Sequence, residues 1–540
     1  MGEYEIRPYK GKDRMRVLVS DSLSTQGVEI LKQAGLQVDV KTKLTPEQLL
    51  DEIKQYEGLV VRSATKVTAK VLDAGVKLKV VGRAGSGLDN VDLEAATKRG
   101  VVVMNTPGGN TITTAEHAVA LMCALARQIP QATASTKAGK WEKSKFMGVE
   151  LYQKVLGVIG LGQIGSHVAK LGQGLMMKVI AYDPYLSPER ARQMGVEQAT
   201  VEDVFRRADF ITIHTPLTPE TTNLVRAETI ATMKDGVRII NCARGGIVNE
   251  ADLYQALASK KVGGAALDVF EKEPVDPANP LLTLDNFICT PHLGASTTEA
   301  QENVAVAVAE QIVDLLIKGV IRNAANIPSV PTDLLPQIRP YLALGEKLGA
   351  FQAQRLEGGI RRVTVEYHGE VAQLPTAPIT VAILKGLLNP ILEDSVNYVN
   401  APVVAKERGI ELNETKRSDA GDFASLVVVE LQSGDAVSRI AGTLFHRKEP
   451  RIVSIDDFFV EVVTEGAMLA LSNTDRPGVI GTIGTFLGQH NVNISRMQLS
   501  RERPGGRAIS VIGIDSPVSP SLLQDLRRLP GILSAKQIRL

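Results

Sequence analysis

The sequence predicts an α/β protein: two doubly wound parallel-sheet domains, followed by an α+β domain and a small domain of βαββαβ order. Three observations carry this. From Met15 onward, short apolar runs alternate with helical stretches, the pattern of parallel βαβ units. A glycine-rich turn, Gly160-Leu-Gly162-Gln-Ile-Gly165, stands between two such runs. The last eighty or so residues read strand, helix, strand, hairpin, strand, helix, strand.

In chain order, MRVLVS, LQVDVK, GLVVRS, LKVVGRA and VVVMN read as strands, with helices over 25–34, 46–53, 68–73 and 92–99 between them. A long Ala-rich helix follows over 113–125. After the glycine turn the strands are expected at 210–214, 237–241, 264–268 and 287–290. Ser296-Thr-Thr-Glu299 is a capping-box pattern that starts a helix running to about Lys318, long enough to return the chain to the first sheet. Pro328, Pro331, Pro336 and Pro340 mark a linker. Residues 359–456 mix β-like runs (RRVTVEYHG, FASLVVVELQ) with a helix over 379–388, in a topology that pattern alone leaves open. The resulting division is 14–107 with 293–325, then 108–292, 326–456 and 466–540.

With 540 residues, the chain is too long for one core. Hydrophobic residues make up 44% and charged ones 22%, with a net charge of +1, which predicts neither a nucleic-acid nor an acidic-membrane partner. The opening MGEYEIRPYKGKDR is charged throughout and holds no signal-peptide core. The apolar run 118–126 is far too short to span a bilayer. Cys123, Cys242 and Cys289 are scattered without a CxxC, so neither a disulfide framework nor a metal site is expected, and a cytoplasmic setting fits.

The glycine turn follows an apolar strand over 155–159 and opens a helix. Gly160 permits the turn, Gly162 lets backbone approach a pyrophosphate, and Gly165 lets helix and strand pack. The next apolar run ends in Asp183, eighteen residues beyond Gly165, where a carboxylate can accept both ribose hydroxyls and repel a 2′-phosphate. The cofactor expected is NAD. Hydride transfer from an alcohol then needs a base and a cation for the neighbouring carboxylate. Arg244 in NCARGG, Glu273 in DVFEKEP and His292 in TPHLGAS stand after successive strands, where ligands sit in such folds. A planar guanidinium suits a carboxylate, and a Glu bonded to the far nitrogen of an imidazole fixes its tautomer.

GLGQIG, NCARGGIVNEADL, AALDVFEKEP and CTPHLGASTTEAQ together resemble the D-isomer-specific 2-hydroxyacid dehydrogenases over roughly residues 15–318. VVGRAGSGLDNVD, MNTPGGNTITTAEH and LARQIPQATASTKAGKWEKSKFMG narrow the resemblance to the branch acting on 3-phosphoglycerate. The DRPG-containing ending resembles an ACT domain, and the block before it stands where the long form of that branch carries an intervening domain.

The resemblance implies NAD-dependent oxidation of 3-phosphoglycerate, opening serine synthesis, by a homo-oligomer, a dimer or tetramer. It assigns substrate binding to Arg244, acid/base work to His292 and its orientation to Glu273. Cofactor contacts carry over to Ser86, Gln163, Ile164, Asp183, Thr215, Cys242, Ala243, Asp268, Gly294 and Ala295. Arg is frequent in the family where Gln163 stands, and Thr where Ser86 stands. Phosphate calls for further cations, for which Arg62, Arg83 and Lys143 are candidates, Lys143 reaching from a neighbouring subunit. The resemblance also implies L-serine as effector, held by Asp475 and Asn493 between paired subunits. Two other functions remain open at this point: reduction of another small 2-hydroxy acid such as glyoxylate, hydroxypyruvate or 2-hydroxyglutarate, and an NAD-sensing corepressor-like binding protein.

Overall fold

A computed structural model describes residues 3–5, 15–328, 330, 334–356, 358–392, 396–434 and 436–540. The N-terminal reading therefore falls almost wholly outside the described residues, and Pro331 of the linker does so too. The first sheet has five parallel strands in the spatial order Gln37–Val40, Arg16–Val19, Gly58–Val61, Val80–Arg83, Val102–Asn105. Its central strands are buried along nearly their whole length, as helices on both faces require. The edge strand Gln37–Val40 is partly exposed, which its mixed QVDV sequence tolerates.

Helix Thr111–Arg127 leads out of this sheet into a second one of seven parallel strands. Its order is Phe287–Cys289, Val262–Leu267, Val237–Asn241, Phe210–Ile213, Val155–Ile159, Lys178–Tyr182, Glu197–Gln198. The order reverses between Val155–Ile159 and Phe210–Ile213, and a crevice opens there at the carboxyl ends of the strands. Helix Thr298–Val313, extended by a π-helical turn Asp314–Lys318, carries the chain back to the first sheet. It crosses helix Thr25–Gln33 at Gly27, where a Cβ would stand 2.8 Å from Ala305 O. Val304, Val308 and Ile312 join the core around Val17, Val60 and Val80.

The capping expectation at Ser296 is corrected by one residue. Thr297 is the N-cap, its side chain accepting from Ala300 N–H, and its hydroxyl also meets that of Thr113 on the long helix. That second contact ties the two interdomain helices together, which a capping pattern read from local sequence cannot register. The proline-rich linker is also shorter than its composition suggests, because helix Leu335–Arg355 already includes Pro336 and Pro340. Pro336 lies in the first turn, where no intrahelical N–H bond is needed.

Helix Leu335–Arg355 packs on helix Ala377–Leu392 and on a six-stranded sheet. That sheet runs Glu411–Arg417, Arg362–Gly369, Ser425–Ser433, Ala436–Phe445, Glu449–Ile455, Phe458–Val463, antiparallel except for its first pair. The last domain is a four-stranded antiparallel sheet in the order Ile494–Arg501, Arg507–Ile514, Ala467–Thr474, Ile532–Arg539, with helices Val479–Gln489 and Pro520–Arg527. The inner strands of this sheet are covered on both faces. Leu469 and Leu471 face its own helices, whereas Met468 and Ala470 join the core around helix Leu335–Arg355. The amide of Gln354 on that helix bonds Arg539 through both N–H and C=O, at 3.0 Å each, and so caps the sheet edge. Among the described residues, no helix is long and apolar enough to cross a membrane.

Candidate active site

The glycine turn folds as its spacing predicts. Gly160 has φ +89, and a Cβ there would lie 2.6 Å from His214 O. At Gly165 a Cβ would lie 1.9 Å from Gly160 O, so only hydrogen fits. At Gly162 nothing stands within 4 Å of that position, leaving the backbone open to a ligand. Helix Gln163–Gly174 starts there without a side-chain cap, so its first N–H groups and positive dipole end are available to an anion.

Asp183, just past Lys178–Tyr182, accepts from Leu161 N–H at 2.8 Å and from Tyr185 N–H at 2.8 Å, which places its carboxylate at the lip of the turn. Thr215, following Phe210–Ile213, has a buried hydroxyl with no hydrogen-bond partner. An orphaned hydroxyl, an open glycine, a free helix start and a strand-end carboxylate together fit the groups of a dinucleotide. Gln163 is less free, since its Oε1 accepts from Thr111 Oγ1 at 3.2 Å, and Ile164 is half-buried in the core beside it.

Across the crevice, His292 Nδ1 lies 2.8 Å from Glu273 Oε2. The Glu273 carboxylate holds the His292 imidazole above its usual range through that bond and its charge, outweighing burial, and Arg244 opposes the shift. For Glu273, burial favours the neutral form. The hydrogen bond and charge of His292 and the Phe270 N–H at 3.1 Å overcome this and hold the carboxyl below its usual range. The imidazole therefore has Nδ1 engaged and Nε2 left for a substrate.

Both residues line a cavity of about 460 Å³ whose opposite wall carries Arg62 and Arg83 from the first sheet, with Gly85, Asp268 and Ala295 also contributing. Arg83 is the most constrained cation there. Burial pushes its guanidinium down to about 10, the neighbouring Arg244 and Arg62 charges act in the same direction, and its Nε has no partner. Arg244 spans the two sheets. Its Nη1 donates to Ala243 O at 2.7 Å, its Nε sits 3.1 Å from Asp89 Oδ2, and its Nη2 lies over Gly87. Ser86 donates to Asn110 Oδ1 at 2.7 Å, at the start of the long helix.

Asp268 is fully buried and its oxygens are taken by the protein: Thr290 O–H, Leu293 N–H and Gly294 N–H donate to it, and His117 lies beside it. Cys242 is buried beside Arg244's loop, and burial pushes its thiol up, the state of an unreactive core cysteine. Among the described residues, His117, Cys242 and Asp268 are the one group near enough to share a metal, but these bonds already satisfy the carboxylate. Sequence reasoning passed over Asp89, Asn110 and His117, whose partners lie far along the chain.

Three expected residues lie elsewhere. Lys143, on the short turn Lys143–Lys145, is exposed and does not line the cavity. Asp475 accepts from Arg501 Nη1 at 3.0 Å, and Asn493 donates to Asp515 Oδ2 at 2.8 Å. The pairing of Ala467–Thr474 and Ile494–Arg501 with the strand between them sets Asp475 and Asn493 at opposite ends of one sheet, a strand length apart. The run His446-Arg447-Lys448 is a hairpin turn in which Arg447 pairs with Glu370 at 3.1 Å.

Three family sequence models match: the D-isomer specific 2-hydroxyacid dehydrogenase NAD binding domain over 119–294, the D-3-phosphoglycerate dehydrogenase intervening domain over 337–456, and the ACT domain over 467–531. D-3-phosphoglycerate dehydrogenase of Synechocystis is 47% identical over 526 residues, covering 97% of this chain and 95% of that protein. The enzyme of Archaeoglobus fulgidus is 47% identical over 528 residues, covering 97% and 100%. Among solved structures, a Thermus thermophilus protein is 34% identical with a TM-score of 0.53, covering 58% of this chain and all of that one. The NAD-bound 3-phosphoglycerate dehydrogenase of Entamoeba histolytica is 31% identical with a TM-score of 0.50, covering 58% and 99%. A dinucleotide crevice beside an imidazole–carboxylate pair, and relatives this similar along nearly their whole length, lead to one assignment: the chain belongs to the D-3-phosphoglycerate dehydrogenase family of NAD-dependent D-isomer-specific 2-hydroxyacid dehydrogenases.

Proposed function

We propose that the chain oxidises 3-phosphoglycerate to 3-phosphohydroxypyruvate, with Arg244, Glu273 and His292 as its catalytic residues. The observation that carries this is the His292–Glu273 pair on one wall of a cavity whose other wall presents Arg62 and the half-buried Arg83, whose Nε has no partner. Two guanidinium groups lining one small cavity, with the Arg244 charge near enough to act on both Arg83 and His292, call for an anion of more than one charge, which a phosphorylated acid supplies and glyoxylate does not. The rival unphosphorylated acids are thereby disfavoured. A corepressor-like role is disfavoured because binding alone needs no imidazole held in one tautomer.

In the mechanism, neutral His292 removes the C2 hydroxyl proton at Nε2, and Glu273 stabilises the imidazolium that forms. Arg244 holds the substrate carboxylate, and Arg62 and Arg83 receive the phosphate. Bound NAD supplies the hydride acceptor. Gly160, Gly162, Gly165 and the start of helix Gln163–Gly174 hold its pyrophosphate, Asp183 its ribose, and Thr215 offers it a hydroxyl. Closure of the two α/β units, at 105–108 and 292–294, excludes water from the cavity.

The functional units follow the boundaries 14–107 with 293–325, 108–292, 326–456 and 466–540. The chain acts in the cytoplasm as a homo-oligomer. Lys143 completes a neighbour's site, and L-serine binds between paired ACT domains, with Asp475 from one and Asn493 from the other. Steady-state NADH formation with 3-phosphoglycerate, hydroxypyruvate and glyoxylate, each with and without L-serine, tests the reading. Equal efficiency with the unphosphorylated acids would overturn it.

A further inference from the structure

The backbone at His292 lies in the left-handed region, φ +56, a conformation that few side-chain-bearing residues adopt. The group that holds it there is Asp268. Its main-chain O accepts from His292 N–H at 2.9 Å, and its carboxylate accepts from the next two N–H groups, Leu293 at 2.7 Å and Gly294 at 2.8 Å. Thr290 donates its hydroxyl to the same carboxylate at 2.6 Å.

A hydroxyl has one proton, and here it is spent on Asp268. The Thr290 oxygen can therefore only accept from His117 Nε2, 3.0 Å away, and Asp268 Oδ1, 3.3 Å from the same nitrogen, is likewise only an acceptor. The proton of His117 must then sit on Nε2. One turn earlier on the same helix, Thr114 donates to Gly294 O at 2.8 Å. Helix Thr111–Arg127 thus grips the turn that carries His292 at two points.

We propose that His117 is a positioning residue: its Nε2–H, shared between Thr290 and Asp268, keeps the buried carboxylate in the setting that locks the 292–294 turn and so aims the His292 imidazole. The groups facing His292 are Glu273, Asp268 and Arg244, and those facing Asp268 are His117, Cys242, His292 and Glu273. Burial opposes the Asp268 charge, and the surrounding donors, His117 first among them, hold the carboxyl below its usual range. Removing the His117 donor loosens the carboxylate that pins Leu293 N–H and Gly294 N–H, and the His292 imidazole loses the aim that brings its Nδ1 onto Glu273, the bond that raises it.

The kinetic half of the test rests on the dehydrogenase reading; the spectroscopic half does not. In the full-length protein, His117→Leu, His117→Gln and Thr290→Val are compared by NMR titration of His292 without ligands, and by kcat and KM. His117→Leu lowers the His292 midpoint and cuts kcat about tenfold or more, the scale of one lost bond to a charged group, with KM for the acid little changed. His117→Gln, whose amide nitrogen reaches the place of Nε2, restores both. Thr290→Val reproduces the loss, and adding it to His117→Leu makes matters no worse.

Wild-type kcat with an unmoved His292 titration in His117→Leu overturns the proposal, and so does a Gln variant as impaired as the Leu one. Should His117→Leu fail to fold, Thr290→Val decides, and wild-type behaviour there overturns the proposal equally. A moved titration in a protein that oxidises no phosphorylated acid supports the positioning role and removes the functional reading instead.

Discussion

Two glycines of the same turn separate folding from cofactor binding. At Gly162 the backbone has φ −68, which alanine adopts freely, and a Cβ would meet nothing within 4 Å. Gly162→Ala therefore changes stability by no more than about 1 kcal/mol, the scale of a glycine-to-alanine change at a helix N-cap. The space that the methyl fills is the one a pyrophosphate must enter. Overpacking of about 1–3 kcal/mol raises the Kd for NAD roughly fivefold to 150-fold.

At Gly165 the same methyl would lie 1.9 Å from Gly160 O, and Gly160 cannot recede because it is itself packed against His214 O. Gly165→Ala thus destabilises the fold by about 3 kcal/mol or more. The assay is a pair of curves for each variant, urea unfolding and NADH fluorescence titration. Wild-type NAD affinity in Gly162→Ala, or equal destabilisation in both variants, would refute the placement of the dinucleotide.

Further outcomes follow from the site. Oxidation needs His292 neutral, and Glu273 raises its pKa above the ordinary 6.5, so kcat/KM climbs with pH through a midpoint above that value. Glu273→Gln lowers the midpoint and cuts kcat about a hundredfold; a pH–rate profile checks both. The same pair stabilises the fold most between the ordinary values of 4.5 and 6.5. The Glu273 share is lost as pH falls through its lowered value, and the His292 share as pH rises through its raised one. Arg83→Met raises KM for 3-phosphoglycerate about tenfold to a hundredfold while barely affecting an unphosphorylated acid, and leaves stability unchanged or higher because the lost charge was half-buried and its Nε had no partner. In the native protein a thiol reagent modifies the exposed Cys289 first and leaves Cys242 untouched, as peptide mapping would show.

The parallel strands were legible because strands covered on both faces are written as unbroken apolar runs, as in Phe210–Ile213. Glu411–Arg417 was not legible, because an edge strand exposed along its whole length has no buried face to record in its sequence. Helix Ile129–Lys137 buries no residue and so carries no apolar stripe. It was missed for the same reason. Arg244, Glu273 and His292 stood out as polar residues closing apolar runs. Their partners did not. Asp89 reaches Arg244 from the other parallel-sheet unit, and His117 reaches Asp268 from a helix 151 residues earlier in the chain, so no local spacing announces them. The separation of Asp475 from Asn493 was equally invisible, since it depends on strand register rather than on either residue's neighbours.

The central claim is that an imidazole oriented by a carboxylate moves the proton at the cavity between the two parallel-sheet units. Replacing His292 by alanine and measuring NADH formation from saturating 3-phosphoglycerate tests it most directly. The geometry predicts a folded, NAD-binding protein whose turnover falls about a hundredfold or more and no longer shows the pH limb above 6.5. A folded variant that keeps near-wild-type turnover and the same pH limb would contradict it.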